Sequence, residues 1–303
     1  MTEKTGKLVK GLGGLFETRL DSGERVVSRA KGNLKRENEK LQIGDLVKIS
    51  YTDTEGGVVI SEILPRKNSL IRPPVSNLDY IFAVFATKKP VPVLETVDKL
   101  ISIAEYNGIS PVVVITKSDL DNSLAEEYYN IYKNAGFDVF ITSGETKEGI
   151  DELRLFINKT VRDGKTAAFA GASGVGKSTL MNSLFPNLSL LTSQISEKIE
   201  RGKHTTRHVE IFDIGDGGFL ADTPGFSMMD FARFDFFPLS ALESTFRDFS
   251  GYRGECRYSD CRHFKEGEDE CAVLRAVRDG KIAESRLDSY RSIYAVLKEK
   301  SAY

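Results

Sequence analysis

No apolar run in this chain approaches the roughly 18 residues needed to cross a bilayer, so no membrane-spanning helix is expected. The stretch MTEKTGKLVKGL lacks an apolar core of signal-peptide length, and a cytoplasmic protein is expected. An excess of one charge is also missing. Against 42 Lys and Arg stand 44 Asp and Glu, a formal net charge of −2, so contact with nucleic acid must come from local patches. Cysteine is scarce: the three all fall between positions 256 and 271. An odd, clustered set of thiols fits a cytosolic metal site better than disulfides. Internal repeats and low-complexity segments are absent. What is present is a globular composition, 40% hydrophobic and 28% charged, in a chain of 303 residues, enough for two or three domains with monomer as the default state.

Residues 1–71 read as short strands, KLVKGLGGLFETRL, RVVSRAKGNL, DLVKISY and GVVISEILP, separated by Gly, Asn and Asp turns. Strands at this spacing predict a small OB-type β-barrel. Lys31, Lys35, Arg36 and Lys40 crowd the connection KGNLKRENEK, either a solvated loop or one that contacts phosphates. From 72 to 232 the pattern changes to the apolar runs YIFAVFA, PVVVIT, DVFITS, TAAFAG, VEIFDI and GGFLADT. Several are separated by helix-like stretches ending in Gly, which predicts a mainly parallel sheet covered on both faces. The IGDGG connection reads instead as an antiparallel hairpin. Residues 233–303 form a third, α-helical segment that holds the cysteines and ends in AESRLDSYRSIYAVLKEK, after a break at Asp279 and Gly280.

The sharpest local pattern is GxxxxGK[ST], filled by Gly171, Ala172, Ser173, Gly174, Val175, Gly176, Lys177 and Ser178. An apolar strand precedes it, and a helix-compatible stretch with Thr179 near its start follows. Glycines let backbone N–H groups face phosphate oxygens, and the helix N-terminus adds its dipole. Lys177 is expected at the β- and γ-phosphates and Ser178 on Mg²⁺. Downstream, DTPG at 222–225 closes a strand, with Asp222 suited to Mg²⁺ and Gly225 to a γ-phosphate. Between them SEKIERGKHTTRHVEIF carries paired threonines. Thr206 is the expected Mg²⁺ ligand of a switch loop ordered only while the γ-phosphate is present. The residue after DTPG is Phe226, which cannot orient a water. His204 is then either the helper group or a surface or RNA-contacting histidine.

Upstream of the phosphate loop, the apolar run VVVI ends in Thr116, Lys117, Ser118 and Asp119, which matches a guanine-reading NKxD motif with Thr for Asn. Asp119 can accept from guanine N1–H and the exocyclic amine, a pair adenine does not offer. The run DVFITSGE supplies a second base-side loop, where a backbone N–H near Ser143 or Gly144 would meet the guanine carbonyl. Both loops sit at strand ends, where open α/β sheets bind ligands. Near the C-terminus, ECRYSDCRHFKEGEDEC places Cys256, Cys261, His263 and Cys271 within reach of one ion. Three thiolates and an imidazole suit a closed, structural Zn²⁺ site, with Arg253, Arg257, Tyr258, Arg262 and Lys265 around it either as an RNA surface or as ordinary solvated charges.

Base reader, second base loop, phosphate loop, Thr switch and DTPG follow the order of a circularly permuted GTPase. With the barrel-like start and the Cys/His segment, the chain resembles the ribosome small subunit-dependent GTPase A family over nearly its full length. NSLIRPPVSNLDYIFAVFA resembles that family's link from barrel to GTPase domain. The resemblance implies a bacterial cytoplasmic GTPase of late small-subunit assembly that binds 16S ribosomal RNA and is stimulated by the subunit. It also implies zinc ligands in the order Cys, Cys, His, Cys, a hydrophobic residue at Phe226, and His204 as helper. One departure is the gap from His263 to Cys271, longer than the family's, with acidic residues inserted. Two other readings stay open: a permuted GTPase of the large subunit, which the barrel and the Cys/His cluster disfavour, and an RNA-binding assembly factor that holds nucleotide only as a ligand. A generic P-loop ATPase is disfavoured by Asp119.

Overall fold

The computed structural model describes residues 3–31, 40–51, 57–186, 209–222, 230–264 and 266–301. They form two compact units: Met1–Tyr80 with Leu155–Phe169 and Phe185–Phe226, and Ile81–Arg154 with Ala170–Leu184 and Ser227–Tyr303. The first unit holds the barrel. Its strands are β1 (Glu3–Leu12), β2 (Leu15–Leu20), β3 (Arg25–Ala30), β4 (Leu46–Tyr51) and β5 (Val58–Ile63). The sheet closes in the order β1-β2-β3-β5-β4-β1, antiparallel except for the parallel pair β3–β5. Alternation supplies the interior: Leu8, Leu20, Val47, Ile49 and Ile60 form its core. Short strands β6 (Ser69–Leu70) and β7 (Val75–Ser76) follow. The buried Asp45 fastens them to the barrel, accepting from Ser76 and from two nitrogens of Arg66. The basic connection at 31–40 lies largely outside the described residues.

The same unit contains β11 (Thr166–Ala170), β12 (Glu210–Gly215) and β13 (Gly218–Asp222). β11 runs parallel to β13, and β12–β13 is the antiparallel hairpin that the IGDGG connection predicts. β1 extends from the barrel to pair with β12 at Lys10 and Glu210, and their side chains form an ion pair of 2.8 Å.

In the second unit, β8 (Tyr80–Ala86), β9 (Ser110–Thr116) and β10 (Asp138–Ile141) lie in the order β10-β9-β8, with β9 and β10 parallel. YIFAVFA and SPVVVIT are buried almost throughout, as strands covered on both faces must be. The helices are α1 (Leu94–Tyr106), α2 (Asn122–Asn134), α3 (Ile150–Thr160), of which only Ile150–Arg154 belongs to this unit, and α4 (Lys177–Leu184). Asp121 caps α2 by accepting from the Leu124 N–H at 3.0 Å. The C-terminal segment contributes 3₁₀ turns at Leu239–Thr245 and Arg247–Tyr252, then α5 (Ala272–Arg278) and α6 (Glu284–Ser301). A cluster of Phe231, Phe236 and Phe237 starts it, with Phe237 5.3 Å from Tyr106 of α1. Among the described residues no helix is long and apolar enough to cross a membrane.

Candidate functional site

Three of the sequence motifs converge in the second unit. TKSD ends β9, SGE follows β10, and the phosphate loop leads into α4. They meet at a cleft of about 370 Å³ lined by Thr116, Lys117, Asp119, Gly144, Gly176 and Thr179. Lys89, Leu120, Thr142, Glu145 and Leu180 complete the lining. The phosphate loop begins by pressing on β8: a Cβ at Gly171 would stand 2.0 Å from the Val84 carbonyl oxygen, so no other residue fits there. Val175 is buried and anchors the loop, while Ala172, Ser173, Gly174 and Ser178 are exposed. The Lys177 ammonium donates to the carbonyls of Gly171 (2.8 Å) and Ala172 (2.6 Å), which holds it at the loop's own mouth.

The base-reading strand end is tied to this loop. The buried Thr116 hydroxyl lies within donating distance of the carbonyls of Val175 and Phe85. Lys117 takes a left-handed conformation (φ 58°), and its ammonium donates to Gly174 (2.8 Å) and Lys89 (2.5 Å). Its stem therefore crosses the cleft from the reader to the phosphate loop. Asp119 Oδ1 accepts from the Ser143 hydroxyl at 2.5 Å. That hydroxyl oxygen in turn accepts from the N–H groups of Glu145 and Thr146, both at 3.1 Å. Such an arrangement can present one carboxylate, fixed in direction, to paired donors on a planar base. Of the expected switch residues, Asp222 closes β13, while His204, Thr206, Gly225 and Phe226 lie outside the described residues.

Sequence reasoning missed Lys89, which reaches the cleft from the β8–α1 connection. KKPVPV has no motif character, and its one signal was a Pro-rich break between a strand and a helix.

The second cluster is the Cys/His set. Cys256, Cys261, His263 and Cys271 bring one donor atom each to within 4.8 Å of one another. His263 Nδ1 stands 3.7, 3.4 and 3.2 Å from the sulfurs of Cys256, Cys261 and Cys271, and the Cys256 and Cys271 sulfurs are 4.0 Å apart. Ligands at zinc bond lengths on a tetrahedron stand about 3.5 to 3.8 Å apart. The donor set and its spacing therefore fit a closed zinc site. Burial pushes the Cys261 thiol up. At Cys271 burial also acts upward, but the His263 hydrogen bond prevails and takes the thiol to about 7. His263 is lowered by burial, yet Cys271 and Glu243 outweigh that and raise it to about 10.

The longer gap before Cys271 is accommodated by its acidic residues. Glu266 accepts from the N–H groups of Arg262 (3.1 Å) and Phe264 (2.8 Å). The Glu270 carboxylate accepts from Tyr258 at 2.9 Å, and its carbonyl from the Arg257 N–H at 2.8 Å. The loop folds back on itself and delivers Cys271, fully buried, to the cluster.

Comparison with known proteins agrees with this geometry. The family model described as RsgA GTPase matches residues 63–232, and the RsgA N-terminal domain model matches residues 5–59. The small ribosomal subunit biogenesis GTPase RsgA of Agathobacter rectalis is 39% identical, over 99% of this chain and 100% of that one. The protein of the same name from Caldanaerobacter subterraneus subsp. tengcongensis is 38% identical, over 97% and 96%. Among solved structures, YjeQ from Thermotoga maritima superimposes with a TM-score of 0.80 at 31% identity, over 98% of this chain and 99% of that one. YloQ, a circularly permuted GTPase, gives 0.77 at 31% identity, over 99% and 96%. With its base-reading loops ahead of its phosphate loop, and with relatives alike along their whole length, this chain belongs to the RsgA GTPase family.

Proposed function

We propose that this protein hydrolyses GTP in the late assembly of the small ribosomal subunit, binding its 16S RNA and acting as a monomer in the cytoplasm. The observation that carries this reading is the meeting of TKSD, SGE and the phosphate loop at one cleft. In this account Asp119 accepts from the guanine N1–H and amine, and the Lys117 stem covers the base. The backbone near Ser143 and Gly144 meets the guanine carbonyl. Residues Gly171 to Thr179 wrap the phosphates with N–H groups, and Lys177 leaves its carbonyl partners for the β- and γ-phosphates. Ser178 and Thr206, with Asp222, would hold Mg²⁺, which supplies positive charge against the charge developing on the phosphates. Gly225 offers its N–H to the γ-phosphate.

Because Phe226 cannot orient water, His204 is the proposed helper, brought into place by the subunit. Cys256, Cys261, His263 and Cys271 would hold one structural Zn²⁺. Their role is to fold residues 233–303, which, like the OB barrel of residues 1–71, would contact RNA, while residues 72–232 form the GTPase domain. Support comes from the names of the relatives, which are small-subunit biogenesis GTPases. Co-sedimentation with separated subunits tests the partner. Binding to the small subunit with a GTP analogue and release with GDP are expected, whereas binding to the large subunit alone would overturn the proposal. His204→Ala should lower the stimulated rate about 100-fold with GTP binding retained.

A further inference from the structure

We infer that Glu148 is a positioning residue for guanine recognition, tying the two base-reading loops together. The inference rests on the nucleotide reading of the cleft given above. An Asn side chain at position 116 would carry two donors and an acceptor, enough to brace two neighbours, whereas the Thr116 hydroxyl carries a single proton. That proton is directed at the carbonyls of Val175 and Phe85, toward the phosphate loop and β8. The Thr116 hydroxyl thus leaves the second base loop to other groups: the Ser143 hydroxyl on Asp119, the Ser118 N–H on the Thr142 carbonyl at 3.2 Å, and one further bracing side chain.

Glu148 makes that brace at two points. Its carboxylate oxygen Oε2 stands 3.0 Å from the Ser118 hydroxyl, which donates to it. Its carbonyl accepts from the Ser143 N–H, also at 3.0 Å. Ser118 is the residue before Asp119, and Ser143 is the residue whose hydroxyl fixes the Asp119 carboxylate. One residue thus holds the Ser118 side chain on one side of the carboxylate that reads the base and the Ser143 backbone N–H on the other. The position of Glu148 is itself fixed. Lys147 before it and Gly149 after it both take left-handed conformations, each with φ 67°. A Cβ on Gly149 would stand 1.9 Å from the Ile141 carbonyl oxygen, so the chain is pressed onto the end of β10 just past Glu148. Ser118 is 1% exposed, and its hydroxyl gives its proton to a charged acceptor.

The test is calorimetric titration of the full-length protein with GDP and with inosine diphosphate, which lacks the exocyclic amine. Wild type should prefer GDP. Glu148→Ala should weaken GDP about fivefold, the size expected of one partly exposed hydrogen bond to a charged group, and weaken inosine diphosphate less, so that the preference shrinks. Glu148→Gln, which keeps an acceptor for Ser118, should recover to within about twofold of wild type. Ser118→Ala should match Glu148→Ala, and the double variant should be no worse than either single one. An unchanged GDP preference in Glu148→Ala overturns the inference, and so do equal losses for both nucleotides or additive losses in the double variant. Failure of wild type to prefer GDP would overturn the nucleotide reading itself, a different and separable outcome.

Discussion

Arg286 and Asp248 form a two-point pair, Nε to Oδ2 and Nη2 to Oδ1, both at 3.0 Å, with side chains only 1% and 4% exposed. The remaining arm of Arg286 reaches Asp98 on α1, and the guanidinium lies 4.5 Å from the centre of the Phe246 ring. Burial pushes the Asp98 carboxyl up, against the opposing pull of Arg286. One cation therefore serves two buried carboxylates and joins the C-terminal helix to the base-reading half of the GTPase domain. Arg286→Met should lower stability by about 3 to 5 kcal/mol, because both carboxylates lose their charge partner in a dry site. Urea unfolding reads this as a fall in midpoint with unchanged slope. A loss below about 1 kcal/mol would show that the pair is dispensable.

Thr116 carries the tie between reader and phosphate loop. Thr116→Val keeps the shape and removes the hydroxyl proton directed at the Val175 and Phe85 carbonyls. GDP affinity should fall about tenfold, the size expected of one lost buried hydrogen bond between the reader and the phosphate loop. Thr116→Asn should bind at least as well as wild type, since an amide can donate to the same carbonyl. Fluorescence titration with a labelled GDP measures both.

Much of this could be read before any coordinates. The phosphate loop, TKSD and ITSGE are local patterns whose chemistry forces their residue types, so their convergence was predictable from strand ends alone. The barrel was legible in the alternation of DLVKISY, and the β12–β13 hairpin in IGDGG. What stayed hidden depends on long-range packing. Arg286, Asp98 and Asp248 look like surface charges on their helices and turns, and only the fold buries them together. Glu148 is one of several acidic residues in a polar loop, and Lys89 sits in a segment without a motif. Even the acidic insertion before Cys271, which reads as a departure, turns out to brace the loop through Glu266 and Glu270.

Lys7 gives a pH signature. It is buried in the first unit, donating to the Gly164 carbonyl (2.6 Å) and the Thr166 hydroxyl (2.7 Å), with the Phe219 ring 4.2 Å away. Burial takes it from its ordinary 10.5 down to about 8, against the attraction of Asp79. Between those values the unfolded chain binds the proton that the folded chain has lost, so stability contributed by this residue rises with pH. Below about 8 the cost of the buried charge is fully present, on the order of 3 kcal/mol. Comparing urea midpoints of wild type and Lys7→Met from pH 7 to 10 isolates the effect. The difference between them should shift in favour of wild type as pH rises, and a constant difference would refute the assignment.

The Cys/His cluster predicts metal-dependent stability. Purified protein should hold about one zinc per chain, and Cys271→Ser should retain little of it, because the fully buried thiol would supply the fourth ligand of a closed site. Chelation should lower the melting temperature by about 5 °C or more, and added zinc should restore it. Metal analysis and calorimetry on the same sample check both statements.

The central claim is that the guanine-reading and phosphate-binding loops serve a GTPase whose chemistry is completed on the small ribosomal subunit. GTP hydrolysis by the wild-type protein, measured alone and with purified small subunits, tests it most directly. Slow turnover alone and acceleration of about 100-fold or more by small subunits are predicted, because a Phe side chain cannot orient water and the proposed helper, His204, would be brought into place by the subunit. Equal rates with and without small subunits, or stimulation by large subunits instead, would contradict the account.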